Sequence, residues 1–166
     1  SQGVEPQSET VWRQADKYNV PRIAFSNKMD KIGGDFFMTL KTIWDRLSKN
    51  AVAIQLPVGM ENDFRGIIDI VEEKYYEFEG KYGEIIKELP IPEEMKAQVA
   101  EYRNILIEKV SETDDTLMGK YLAGEMPSIA ELKAGLRKAV LKAELFPVLC
   151  GTALANKGVQ LVLDAV

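Results

Sequence analysis

The residues best suited to chemistry form the tetrapeptide Asn27-Lys28-Met29-Asp30, which ends the apolar segment Pro21–Ser26. The Asp30 carboxylate can accept two hydrogen bonds side by side, which suits the N1 and exocyclic amine donors of guanine. The Asn27 amide suits N7 and O6 of the same base, and the methylene stem of Lys28 can lie along the ring. Adenine has no N1 proton and would leave the carboxylate unpaired, so the pattern predicts a guanine-selective site.

A second segment, far along the chain, supports this interpretation. The tetrapeptide alone is a weak pattern, because a polar turn with Asp30 near a helix start has the same composition. Phe146–Cys150 is another apolar segment, however, and it runs into a loop of small residues. In that loop, backbone N–H groups near Thr152, Ala153 and Leu154 could approach a ring oxygen closely. Ligands of open α/β sheets bind beyond the carboxyl ends of the strands, where both segments lie.

The likeness to known proteins runs along the whole chain. Four segments resemble the elongation factor G family of translational GTPases: Gly3–Ala15, Asn27–Asp30, Leu145–Gly151 and Asn156–Gln160. The resemblance implies binding of GTP or GDP through Asn27, Lys28, Asp30, Thr152, Ala153 and Leu154. Two residues depart from the family pattern. Thr152 replaces the usual Ser and keeps its hydroxyl, whereas Ala155 replaces the usual Lys and removes a charge from that loop.

The resemblance implies an enzyme that couples GTP hydrolysis to the movement of tRNA and mRNA on the ribosome. Phosphoryl transfer also needs a P-loop lysine, Mg²⁺ and a positioned water. The sequence contains no Gly-x-x-x-x-Gly-Lys-[Ser/Thr] motif and no histidine, and its two Asp-x-x-Gly matches both lie after Asn27 rather than before it. We therefore expect neither catalytic residues nor metal ligands in this chain, with Mg²⁺ bound only by the full-length protein. The fragment alone should not hydrolyse GTP.

The elements around the two segments predict an α/β fold, a partial P-loop-type GTPase domain in which helices flank parallel strands. Ser1–Gly3 is expected to be the end of a loop whose strand is missing, so that the chain starts within the fold. Pro6 suits the start of a helix that ends near Asn19, with Val11, Ala15 and Tyr18 buried. Asp35 is a candidate N-cap for a second helix. That helix would bury Phe36, Leu40, Ile43, Trp44 and Leu47. A last helix begins at Val159 and is expected to be cut short.

The chain between the two segments is much longer than a parallel crossover requires, which predicts an insertion. Strands are expected over Val52–Val58, Gly66–Val71, Lys74–Phe78 and Glu84–Glu88. Helices are expected over Glu93–Val110, over Asp114–Leu122 and after the N-cap Ser128, with Ile129, Leu132, Leu136 and Val140 buried. Residues 1–51 and 145–166 would then form the C-terminal half of a GTPase domain, and residues 52–144 an inserted α+β subdomain.

The predicted insertion is acidic. Val52–Glu144 carries 19 acidic and 12 basic residues, whereas the rest of the chain carries 7 and 9. Binding to a phosphate backbone depends on Lys and Arg, so we expect no direct sequence-specific nucleic-acid binding and favour a basic protein partner. Simple solvation of the helix faces is the alternative. The resemblance implies that the insertion faces the ribosomal stalk protein, with Glu94, Glu101 and Glu108 as candidate contacts.

Composition excludes several other classes of protein. One cysteine and no histidine leave no disulfide framework and few ligands for zinc or redox chemistry, and they favour a reducing, cytoplasmic compartment. No apolar run is long enough to span a bilayer, and we expect neither a signal peptide nor a membrane partner. Two alternatives remain: another translational GTPase, organellar or of the release-factor or ribosomal-protection type, and a non-catalytic protein-interaction module.

Overall fold

The computed structural model describes residues 3–166; the loop predicted at Ser1 and Gln2 lies outside them. Three parallel strands form the first sheet, in the order β1 (Ala24–Ser26), β7 (Phe146–Cys150), β2 (Ala51–Ala53). Every residue of β7 is buried, as its unbroken apolar sequence predicts for a central parallel strand. Pairing with β7 starts at Ala24, so β1 begins three residues later than predicted.

Three helices belong to this part of the chain: α1 (Pro6–Lys17), α2 (Phe36–Arg46) and α6 (Val159–Ala165). The predicted N-cap of α2 is confirmed, because Asp35 Oδ1 accepts a hydrogen bond from the Met38 N–H at 3.0 Å. The predicted buried stripe of α1 is wrong, since Val11 is 59% and Tyr18 71% exposed. The buried residue is Trp12. Its indole packs edge-to-face on the ring of Phe146, with 4.9 Å between the ring centroids, and so fills the contact with the sheet.

Four antiparallel strands form the second sheet, in sequence order. They are β3 (Gln55–Val58), β4 (Gly66–Asp69), β5 (Lys74–Glu79) and β6 (Ile85–Leu89). The single strand predicted over Val52–Val58 is wrong, because the chain changes sheets at Ile54. The Ile54 N–H donates to the carbonyl of Val148 in β7 of the parallel sheet. The Ile54 carbonyl accepts from the N–H of Ile70, which directly follows β4 of the antiparallel sheet. The two sheets share one apolar core, which includes Ile67, Ile68 and Val148.

The remaining segment is helical. A 3₁₀ turn (Glu93–Met95) leads into α3 (Lys96–Ser111), α4 (Asp115–Leu122) and α5 (Ile129–Leu141). The predicted N-cap Ser128 is confirmed: its hydroxyl accepts from the Glu131 N–H, and the Glu131 side chain accepts from the Ser128 N–H.

Burial in these helices corrects one expectation. Ile129 was predicted to be buried, but it is 42% exposed. It occupies the first turn of α5, ahead of Leu132 and Leu136, which pack with Leu106 and Val110 of α3 in a second apolar cluster. The parallel sheet with flanking helices and an additional antiparallel sheet confirms the predicted α/β fold class. Within residues 3–166, no helix combines the length and the apolar character needed to cross a bilayer.

Candidate functional site

The parallel pairing of β1 and β7 brings the two predicted segments together. Ser26 and Cys150, the last residues of the two strands, are register partners. Residues 27–34, here the first loop, and residues 151–158, the second loop, therefore leave the sheet side by side. This edge is the carboxyl end of parallel strands, where ligands of such sheets bind.

Asn27 joins the two loops. Its Oδ1 accepts hydrogen bonds from the Ala153 N–H at 2.9 Å and from the Lys28 N–H at 2.8 Å, although Asn27 and Ala153 are 126 positions apart. Backbone bonds reinforce the contact, from Gly151 N–H to the Ser26 carbonyl at 3.1 Å and from Met29 N–H to the Gly151 carbonyl at 3.2 Å. Because the amide oxygen is occupied, Asn27 has its NH₂ group left to offer to a ligand. The Ala153 N–H, predicted to approach a ring oxygen, here donates to Asn27.

The Asp30 carboxylate lies at the same edge of the sheet, partly enclosed by the protein. Its Oδ1 is enclosed and has no hydrogen-bond donor among residues 3–166, while its Oδ2 lies 3.5 Å from Lys31 Nζ. Burial raises the pKa of Asp30, but the Thr152 hydroxyl, the backbone and Lys31 together outweigh burial and hold the pKa below its usual value. Asp30 is therefore ionised at neutral pH. The side chain is 25% exposed and its Oδ1 is enclosed, so Oδ2 is the oxygen open to a ligand. An ionised carboxylate at this edge suits the N–H donors of guanine.

The remaining predicted residues differ in exposure. Thr152 is buried, and its backbone pairs in both directions with Lys157, at 3.0 and 3.1 Å, which closes the second loop. Leu154 is 90% exposed at the tip of that loop. Lys28 is exposed and has a left-handed backbone with φ of 64°. All six predicted residues thus belong to two loops that are hydrogen-bonded to each other.

Sequence reasoning missed two side chains that hold these loops from the antiparallel sheet. Gln55 in β3 accepts from the Cys150 N–H at 3.1 Å, directly before the second loop. Glu61, in the 3₁₀ turn Glu61–Asp63, accepts from the Gly33 N–H of the first loop at 2.8 Å. A glutamine inside an apolar strand was a usable signal, because a buried amide needs a partner. Glu61 gave no such signal, since glutamate is ordinary in a turn.

A cavity of about 650 Å³ lies at the opposite ends of β1 and β7. Its lining includes Pro21 and Arg22 before β1, Pro147 in β7, and Arg137 and Val140 of α5. None of the six predicted guanine contacts lines this cavity, so it is separate from the candidate guanine site. The described residues also hold no group of three or more His, Cys, Asp or Glu side chains arranged for a metal ion.

The three glutamates proposed as partner contacts do not belong to the guanine site. Glu94 lies in the 3₁₀ turn before α3, not on the helix as predicted, and pairs with Arg65 at 3.3 Å. Glu101 and Glu108 are exposed on α3. Seven residues separate them, which is two helical turns, so they share one face of the helix.

Comparison with known proteins identifies the family. The model of the elongation factor Tu GTP-binding domain matches residues 1–166. A crystal structure of a Thermus thermophilus protein superposes with a TM-score of 0.87 over 98% of this chain, at 29% sequence identity. The chain spans 24% of the length of that protein. Because the family model covers all 166 residues, the chain belongs to the elongation factor Tu GTP-binding domain family, the nucleotide-binding domains of translational GTPases.

Proposed function

We propose that this chain supplies guanine recognition to a GTPase of the elongation factor G type, which couples GTP hydrolysis to movement of tRNA and mRNA on the ribosome. In this proposal the base contacts come from Asn27, Lys28, Asp30, Thr152, Ala153 and Leu154. Residues 1–51 and 145–166 form the nucleotide-binding part, and residues 52–144 form the insertion. The P-loop, the Mg²⁺ site and the residue that orients water belong to the rest of the full-length protein.

The single observation that carries this proposal is the hydrogen bond from the Ala153 N–H to Asn27 Oδ1, at 2.9 Å. It holds two distant loops against each other at the carboxyl edge of the sheet. Beside it, Asp30 offers an ionised carboxylate, and Asn27 offers its NH₂ group. A carboxylate that accepts from two adjacent donors complements N1–H and the exocyclic amine of guanine, whereas adenine has no N1 proton and would leave one acceptor unpaired.

The insertion supports a second part of the proposal, contact with the ribosomal stalk protein. Glu101 and Glu108 place two carboxylates on one exposed face of α3. Among the described residues, neither glutamate forms a salt bridge, whereas Glu94 pairs with Arg65. An unpaired acidic face suits a basic protein partner, because complementary charge speeds encounter. A cytoplasmic location is also part of the proposal, and it is supported by the single cysteine, which is buried and unpaired.

The test uses the full-length protein, purified and assayed on ribosomes that carry tRNA and mRNA. We expect ribosome-stimulated GTP hydrolysis together with tRNA–mRNA movement. Toeprinting of the mRNA measures the movement. Stimulated hydrolysis without movement would instead identify a translational GTPase of the release-factor or ribosomal-protection type. Absence of measurable guanine-nucleotide binding would favour the non-catalytic interaction module and would reject the proposal.

A further inference from the structure

The tip of the β5–β6 hairpin, residues 80–84, contacts the second loop directly. This tip belongs to the antiparallel sheet, yet its Gly83 is buried against the backbone of Ala155 and Asn156. A Cβ atom at position 83 would lie 2.8 Å from the Ala155 carbonyl oxygen and 3.0 Å from that of Asn156. Carbon atoms are not found so close to a backbone oxygen, so a larger residue would displace the second loop or the hairpin.

A side chain also connects the two segments. Gln160, in the first turn of α6 directly after the second loop, donates from Nε2 to the Gly83 carbonyl at 3.2 Å. Its Oε1 is buried and has no hydrogen-bond partner in the part of the chain that the structure describes. A buried amide with one unused end depends on its remaining bond to hold its orientation, so the Gln160–Gly83 contact is costly to lose.

The hairpin tip is itself shaped for this contact. Gly80 and Gly83 both have positive φ, at 91° and 60°. The carboxylate of Glu84, the residue after Gly83, accepts from the Tyr82 N–H at 2.8 Å and lies over Gly80. The tip is therefore a closed turn that presents the backbone of Gly83 to the second loop without an intervening side chain.

We propose that the hairpin tip positions the second loop for recognition of the guanine O6 edge, with Gly83 and Gln160 as positioning residues. This inference rests on the proposed function, since it assigns the insertion a role at the same guanine site. Asp30 reads the N1 and amine edge, whereas the O6 side is served by the second loop together with the Asn27 amide, which the Ala153 N–H of that loop holds in place. Displacing the second loop should therefore weaken only the contacts on the O6 side.

The test compares Gly83→Ala with Gly124→Ala in the full-length protein. Both glycines have left-handed backbones, with φ of 60° and 74°, so both substitutions carry similar backbone strain. A Cβ at Gly124 would meet no atom within 4 Å, whereas one at Gly83 meets the second loop. Dissociation constants are measured for GDP, for inosine diphosphate, which lacks the 2-amino group, and for 2-aminopurine riboside diphosphate, which lacks both O6 and the N1 proton.

We expect Gly83→Ala to weaken the binding of GDP and of inosine diphosphate about 3- to 10-fold, the effect of about one hydrogen bond. Binding of the 2-aminopurine nucleotide should stay unchanged. Gly124→Ala should bind all three nucleotides like wild type. Equal losses for all three nucleotides in Gly83→Ala would show general damage and overturn the inference, as would identical behaviour of the two glycine variants. If wild type itself does not prefer GDP to ADP, the proposed function fails rather than this inference.

A second variant keeps the test decisive should Gly83→Ala not fold. Gln160→Ala removes the hydrogen bond to Gly83 without adding a clash. We expect the same pattern of losses, at the lower end of the range. Thermal unfolding midpoints of all variants are recorded beside the binding data. The inference would be overturned if the Gln160→Ala protein folds and still distinguishes GDP from the 2-aminopurine nucleotide as well as wild type does.

Discussion

At the residue scale, the proposed selectivity for guanine depends most directly on Asp30. Asp30→Asn replaces two acceptors by one acceptor and one NH₂ donor, which matches xanthine, where an oxygen stands in place of the exocyclic amine. In the full-length protein we expect the affinity for GDP to fall about 5- to 150-fold, equivalent to ~1–3 kcal/mol, and the affinity for xanthosine diphosphate to rise. Competition binding with the two nucleotides measures the change.

Asp45→Asn is the matched control for this prediction. It removes the same charge on the exposed side of α2, where Asp45 pairs only with Lys49 at 3.4 Å. Surface pairs of this kind contribute little, so nucleotide preference should stay as in wild type. Unchanged competition in Asp30→Asn would mean that another residue reads the base.

The Thr152 hydroxyl should keep the carboxylate of Asp30 charged. It is one of the groups that hold the Asp30 pKa below its usual value against the opposing effect of burial. Thr152→Val should therefore raise this pKa, whereas Thr152→Ser should keep it low. A carboxyl ¹³C NMR titration of Asp30 in the three proteins measures the difference, and equal titration curves would contradict the assignment.

The direction of the pKa shift also sets the pH dependence. Because the folded-state pKa of Asp30 is lowered, the stabilisation from its ionised form is present above the unfolded-state pKa. It is lost as the pH falls through the lowered folded value. Guanine binding through Asp30 should consequently be independent of pH around neutrality and weaken only in strong acid.

At the element scale, α3 carries the proposed contact with the stalk protein. Glu101→Lys and Glu108→Lys each reverse a charge on its exposed face, and we expect either to lower stalk-stimulated GTP turnover several-fold by slowing association. The affinity for GDP should not change, because neither residue touches the guanine loops. Turnover is measured with and without stalk protein, over a range of salt concentrations.

Glu5→Lys provides the control for α3. Glu5 is exposed next to the start of α1, outside the proposed insertion, and undergoes the same charge reversal. Two outcomes would reject α3 as the docking surface. One is stimulation equal to wild type in the α3 variants, and the other is an equal loss of stimulation in all three variants.

At the scale of the whole molecule, the isolated 166-residue chain should hold guanine nucleotides only weakly. One bidentate base contact supplies ~1–3 kcal/mol of discrimination, and most nucleotide affinity in such enzymes comes from the phosphates and Mg²⁺. We expect a dissociation constant well above micromolar by calorimetry and no phosphate release above background. Micromolar binding or steady hydrolysis by the isolated chain would contradict this prediction.

Much of this architecture could be predicted because the signals are local. Asp35 and Ser128 mark helix starts through their own side chains, and the apolar segment of β7 shows that it is buried on both sides. The prediction failed where partners lie far apart in sequence. The change of sheets at Ile54 depends on two different neighbours, and burial of Trp12 in place of Val11 depends on the ring of Phe146.

The candidate site likewise combines side chains that the sequence could predict with a contact that it could not. The side chains with recognisable chemistry, Asn27 and Asp30, could be predicted from residue type and spacing. The backbone approach of Gly83 to Ala155 could not, because glycine in a hairpin turn is ordinary and nothing in the sequence shows which loop it will meet. Long-range contacts between backbones thus remain the part of the site that only coordinates reveal.

The burial of Cys150 makes this protein convenient for fluorescence spectroscopy. It is the single cysteine in the sequence, it is fully enclosed in β7, and burial raises the pKa of its thiol far above the usual value. Thiol-reactive dyes should therefore leave the chain unlabelled at neutral pH. A cysteine introduced at the exposed Leu154 would then take a dye at one defined place, where its emission could follow the arrival and departure of a nucleotide in real time.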